Sequence, residues 1–236
     1  MKKFLTAILF APVLAFAAGP TLHLDSAPDK SSDMAALQNG AKVFVNYCLN
    51  CHSASYMRYN RLQDIGLTDA QIKDNLMFTA EKVGEPMKIA MQRAEAKAWF
   101  GAAPPDLTII ARARASEHGS GADWLYTYLR TFYRDESRPT GWNNVIFENV
   151  GMPHVLWDLQ GDQEMGPDHK LKLVKPGTMK PREYDAMVGD LVAYLKYMGE
   201  PVSEFRKHLG VVVLIFLAVF FVFAYALKRE FWKDIH

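Results

Sequence analysis

At 236 residues the chain is long enough for one large domain or two small ones. Its 27 basic and 26 acidic residues nearly cancel, which removes any electrostatic case for a nucleic-acid partner. Half of the residues are hydrophobic, more than a soluble domain needs, and two segments hold the excess.

The first apolar segment runs from Phe4 to Phe16 behind Lys2 and Lys3, and ends in the small-residue site Ala15-Phe16-Ala17. Residues 1–17 are therefore expected to be a secretory signal peptide, too short and wrongly flanked to be a stable span. The Lys-Lys leader is bacterial in character, unlike an Arg/Ser-rich transit peptide. Residues 18 to about 32 are rich in Pro, Ser and Asp and read as an extended arm. Ser32 or Asp33 is placed to cap a helix from Ala35 to about Tyr47. Leu37, Ala41, Phe44 and Cys48 recur at helical spacing and share one face.

That helix delivers Cys48-Leu49-Asn50-Cys51-His52. Two thiols three positions apart with an imidazole directly behind form the covalent haem c attachment pattern. The cysteines add to the porphyrin as thioethers and the histidine reaches the iron. A redox dithiol wants a βαβ setting, and nothing around Cys48 alternates between strand and helix. A structural zinc site wants four ligands, whereas the chain has two cysteines and scattered histidines. The pattern thus points to one covalently bound haem c and to single-electron transfer. It agrees with export, because bacteria attach haem c outside the cytoplasm, and it leaves no thiol for a disulfide.

Further along, Thr68 and Gln71 fit a capping box for a short helix to about Phe78. Pro86 to Phe100 reads as another helix. Pro104-Pro105 breaks the chain, and Asp106 to Ala115 resumes a helical pattern. A helix crowded with aromatic residues is expected from Ala122 to Tyr133. No period is sustained from Asp135 to Met179, where Trp142, Phe147 and Trp157 imply packing against a large apolar partner. A last soluble helix is expected from about Arg182 to Met198.

The second apolar segment, residues 209–227, carries no charge. As a helix it spans about 28 Å, close to the hydrocarbon thickness of a bilayer. Pro201 suits its start, and Phe231 and Trp232 suit an interfacial anchor. With the body exported, residues 18–208 form a periplasmic domain, 209–227 the transmembrane helix in the lipid bilayer, and 228–236 a cytoplasmic tail. The expected site is the bacterial inner membrane.

With His52 on one side of the iron, a methionine is the usual partner on the other. Met152 lies in Gly151-Met152-Pro153-His154, where Gly151 permits close approach and Pro153 stiffens the loop. Met179 lies in Pro176-Gly177-Thr178-Met179, which resembles the ligand loop of small mitochondrial-type cytochromes c. His154 is a third candidate, giving a bis-histidine centre. Sequence physics alone does not separate them.

Beyond the attachment motif, Gly101-Ala102-Ala103-Pro104-Pro105-Asp106-Leu107, then Arg112-Ala113-Arg114, resembles a segment of the cytochrome c1 family. Gly151-Met152-Pro153 resembles that family's axial-methionine loop, although His154 follows where many members carry a second proline. Gly199-Glu200-Pro201, one apolar helix, Lys228-Arg229 and Trp232 match its ending. The resemblance runs from about Gly40 to Trp232. It implies a mostly α, class I cytochrome c-like haem domain with a single C-terminal transmembrane helix. It implies Met152 as the second axial ligand beside His52, Arg114 on a haem propionate, and Pro104 and Pro105 as pocket wall. Arg112 and Arg114 point about 200° apart on a helix, so only one can face the haem.

The implied role is electron transfer from a Rieske iron–sulfur protein to a soluble or tethered cytochrome c, beside cytochrome b in a quinol–cytochrome c reductase. No acid–base catalytic residue is expected, since His/Met iron keeps no open position. A tethered shuttle would need a longer linker than residues 199–208. A terminal-oxidase subunit would not be expected to carry the Arg-x-Arg segment. A haem peroxidase would need an open iron. Asp135, Glu136, Asp158, Asp162, Glu164 and Asp168 suit either an acidic docking face or a solvated loop.

Overall fold

A computed structural model describes residues 22–234. The expected signal peptide, residues 1–17, lies outside them. Three helices make the centre: α1 (Met34–Val43), α5 (Gly121–Arg130) and α7 (Pro181–Gly199). Between them the chain forms β1 (Ala54–Arg58), α2 (Asp69–Asn75), β2 (Pro86–Met87), α3 (Arg93–Phe100) and α4 (Ile110–Ala113). After α5 come β3 (Phe132–Arg134), β4 (Trp142–Asn144), α6 (Trp157–Gln160), β5 (Gly161–Met165) and β6 (Leu171–Pro176). The strands pair only as three antiparallel couples, β1–β2, β3–β4 and β5–β6, so the architecture is mostly α.

Asp33 is the residue that caps α1, its carboxylate accepting the Ala36 N–H at 3.1 Å. This helix lies against α7 so closely that a Cβ on Gly40 would collide with the Asp190 carbonyl and Tyr194. Only glycine fits there. Phe44 and Tyr194, both fully buried, close the contact with ring centroids 5.6 Å apart. Tyr184 of α7 donates to the Leu129 carbonyl at 2.7 Å and ties α7 to α5.

Several sequence expectations change in detail. The stretch from Pro86 begins as strand, because Met87 enters the core beside β1, and helix starts only at Arg93. The helix expected from Asp106 shrinks to α4, since the Asp106 side chain folds back on Thr108 and holds a turn. The aromatic helix ends at Arg130, and Phe132 pairs with Asn144 in a hairpin. Residues 135–179 are not structureless: they contain β4, β5 and β6, whose hairpins are too short to show a period. Trp142 is buried there, whereas Phe147 and Trp157 are exposed.

The final helix α8 (Ser203–Phe231) begins two residues after Pro201 and exceeds the apolar run at both ends. Its best 18-residue stretch has a mean hydropathy of 2.9, and none of it is buried by the rest of the chain. All-round apolarity left uncovered by the rest of the described chain suits lipid, and α8 is long enough to cross a bilayer with turns to spare.

Candidate haem site

The attachment motif begins where α1 changes pitch. Residues Phe44–Cys48 form a π-helical turn, with the Leu49 N–H on the Phe44 carbonyl at 3.0 Å. Such a bulge often marks a functional position. Here it keeps Phe44 and Val45 buried while leaving Cys48 half-buried. The Cys48 carbonyl then accepts from the N–H groups of Cys51 (3.1 Å) and His52 (2.9 Å), folding the motif into one turn. Burial, aided by Cys51, pushes the Cys48 thiol up to about 12. A redox dithiol has the opposite character, a depressed thiol.

The segment 104–108 is laced onto this turn. His52 Nδ1 lies 2.8 Å from the Pro105 carbonyl. A carbonyl only accepts, so Nδ1 carries the proton and Nε2 keeps its lone pair. Burial holds the imidazole below its ordinary pKa, against the pull of Pro105 and Asp106, and favours the neutral form a metal requires. Leu107 N–H donates to the Ser53 carbonyl at 2.9 Å, and Asp106 accepts the Ser55 N–H at 2.8 Å.

From Pro105 the chain passes through α4 to Arg114. The two arginines diverge: Arg112 is exposed and 4.0 Å from Glu200, whereas Arg114 is half-buried. The Arg114 guanidinium sits 4.4 Å over Trp124 and 5.4 Å from the Phe147 ring centroid. It has no carboxylate partner among the described residues. Trp124 stacks on Tyr128 at 4.7 Å, and Tyr128 donates its hydroxyl proton to Met152 Sδ at 3.4 Å. A chain of contacts thus links the His52 side of the site to Met152. Trp124, Tyr128 and Phe147 were visible in the sequence only as aromatic crowding; their convergence is tertiary.

Two buried asparagines hold the Met152 loop. Asn144 donates to the Tyr128 carbonyl at 2.8 Å and accepts from Ile146 and Phe147 N–H at 3.1 and 3.2 Å. Asn143 accepts the Asn149 N–H at 2.9 Å, where Asn149 adopts a left-handed φ of 61°.

The other two ligand candidates have different surroundings. His154 is 2% exposed, stacked on Phe132 at 4.8 Å and edge-on to Trp142 at 5.0 Å. Burial pulls it down to about 4, so it is a neutral core residue. The Met179 N–H binds the Leu159 carbonyl at 3.1 Å, fastening its loop to α6 and the β5–β6 hairpin. Of the acidic residues, Asp162 pairs with Arg134 at 3.1 Å and Asp135 binds Ser137 and Asn143, so both serve the fold.

The donor set fits haem c. Two adjacent thiols, an imidazole with Nε2 free, a half-buried thioether, an unpaired guanidinium and an aromatic wall suit attachment, two axial bonds, a propionate and a porphyrin face. These features define a membrane-anchored haem c protein. The Cytochrome C1 family model matches residues 25–88 and 85–235. A cytochrome c1 of Allochromatium vinosum is 47% identical, with all of both chains covered. The ammonia monooxygenase gamma subunit of Nitrosomonas europaea is 51% identical, over 100% of this chain and 99% of its own. A cytochrome b/c1 of Bradyrhizobium diazoefficiens is 29% identical over 86% of this chain and 34% of its own. The chain belongs to the cytochrome c1 family, and is a haem c electron-transfer subunit of the bc1 complex.

Proposed function

We propose that this chain relays single electrons from a Rieske iron–sulfur protein to a soluble or tethered cytochrome c, beside cytochrome b. Residues 18–208 would stand in the periplasm, 209–227 in the inner membrane and 228–236 in the cytoplasm after removal of residues 1–17. The observation that carries this reading is the His52–Pro105 hydrogen bond, which leaves Nε2 as a ready axial donor behind two free thiols. Cys48 and Cys51 hold one haem c covalently, and that group supplies a one-electron Fe(III)/Fe(II) couple.

His52 and Met152 would hold the iron, one from each side. Met152 is preferred over Met179 and His154 because its sulfur meets Tyr128 in the aromatic cluster, while His154 is clamped in the core. Arg114 receives a propionate: its faces rest on Trp124 and Phe147, and its N–H edge remains for a carboxylate. Pro104 and Pro105 form the wall on the His52 side. Trp124 and Tyr128, both buried, would shield the Met152 side from water. The α8 anchor keeps the head close to the membrane partner.

The test is mild detergent extraction followed by reduced-minus-oxidised spectroscopy of the purified assembly. Recovery of b-type haem and a Rieske cluster with the chain supports the proposal. The monooxygenase name carried by the Nitrosomonas relative favours a second reading, electron delivery to an oxygenase. Co-purification of monooxygenase subunits alongside b-type haem would add that role.

A further inference from the structure

The hydroxyl of Tyr128 has one hydrogen-bond partner among the described residues, the sulfur of Met152, at 3.4 Å. The tyrosine is 8% exposed, so its proton has little access to water. A buried phenol ordinarily finds a strong oxygen acceptor; a thioether is a weak one. The ring has no freedom to look elsewhere. It stacks on Trp124 with an interplanar angle of 14° and meets Phe132 edge-on at 5.0 Å. Its helix α5 is closed at the N-terminus by the Ser120–Asp123 capping box.

We infer that Tyr128 is a positioning residue that orients the Met152 sulfur and sets its donor strength toward iron through this hydrogen bond. The inference rests on Met152 being the axial ligand. Thioether sulfur has two lone pairs. The phenol takes one, which fixes the rotation of the side chain and leaves the other for the metal. A donated hydrogen bond also withdraws electron density from the sulfur. The weaker donor stabilises the more positive Fe(III) less than Fe(II), so the hydroxyl raises the potential. Hydrogen bonding behind an axial ligand is one of the few levers a protein has on this couple.

Tyr128→Phe removes the hydroxyl and keeps the ring, so Trp124 and Phe132 retain their partner. The test is potentiometry and near-infrared absorption on the holoprotein in its membrane complex. The reduction equilibrium is expected to shift about threefold toward the oxidised form, or roughly 28 mV downward at about 59 mV per tenfold. The thioether-to-Fe(III) charge-transfer band is expected to persist at a changed wavelength. An unchanged potential and band would overturn the inference, as would loss of the band, which would make the hydroxyl a structural prop. Tyr184→Phe, which removes a buried hydroxyl from the same helix pair (its bond to the Leu129 carbonyl) without touching Met152, must leave the potential in place; an equal shift there would assign the effect to general packing and overturn it too. Met152→Leu, measured alongside, separates the two claims. A band that survives that change refutes Met152 as ligand, whatever Tyr128→Phe does.

Discussion

The imidazole of His52 donates through Nδ1 to the carbonyl of Pro105, 2.8 Å away and 53 positions later in the chain. The bond fixes the ring's tautomer and its orientation together, which an isolated Cys-x-x-Cys-His turn cannot do. Proline suits the acceptor's place because it carries no N–H to compete and its φ is fixed. The Asp106 carboxylate then locks the strap by accepting from Ser55 and Thr108 N–H at 2.8 Å each.

Cys51→Ala is expected to prevent or greatly weaken covalent attachment, because one of the two thioether bonds is lost and burial holds the remaining Cys48 thiol above its ordinary range. Haem staining of the denatured chain on a gel checks this. Staining equal to the parent would refute the thioether assignment.

Replacing the candidate sulfurs one at a time decides the axial ligand. Met152→Leu should leave the haem attached, lower the potential, erase the thioether charge-transfer band and stop quinol-driven turnover. Met179→Leu and His154→Gln should keep the band. Its loss in the Met179 variant alone would move the ligand to that loop.

Asn144→Ala should cost about 3 kcal/mol of stability, since a buried side chain that bridges α5 and the Met152 loop leaves several polar groups without partners. Denaturant unfolding measures the loss. A change under about 0.5 kcal/mol, the range of ordinary surface substitutions, would show that the loop is held by other contacts.

Asp123 predicts an acid-side instability. Burial would raise its pKa, but hydrogen bonds from Ser120 and from the Ala27 N–H outweigh that and hold it below the ordinary value of 3.8. A group depressed in the fold contributes stability above its unfolded pKa and loses it as pH falls through the folded one. Asp123→Ala should therefore destabilise the protein by about 1 kcal/mol at pH 7. The difference from the parent should vanish well below pH 3.8. Thermal melts of both proteins across that range test the convergence; a gap that persists at low pH would exclude the carboxylate as its source.

The amino-acid sequence by itself determined the features that rest on near neighbours. The Cys48–His52 turn, a cap at Ser32 or Asp33, the Thr68–Gln71 capping box and the apolar run in α8 each need only a few adjacent residues or one uninterrupted period. Tertiary structure decided what depends on residues far apart. It drew Pro86–Met87 into a strand, because burying Met87 beside β1 outweighed helical propensity. It turned the region after Asp135 into short hairpins, and it separated Arg114 from Arg112 by placing Trp124 and Phe147 under one of them. It put the Tyr128 hydroxyl against the Met152 sulfur and closed the core around His154. Contacts between distant segments leave no period in a sequence, because each is fixed by the packing of whole helices and hairpins and not by the spacing of residues along one of them.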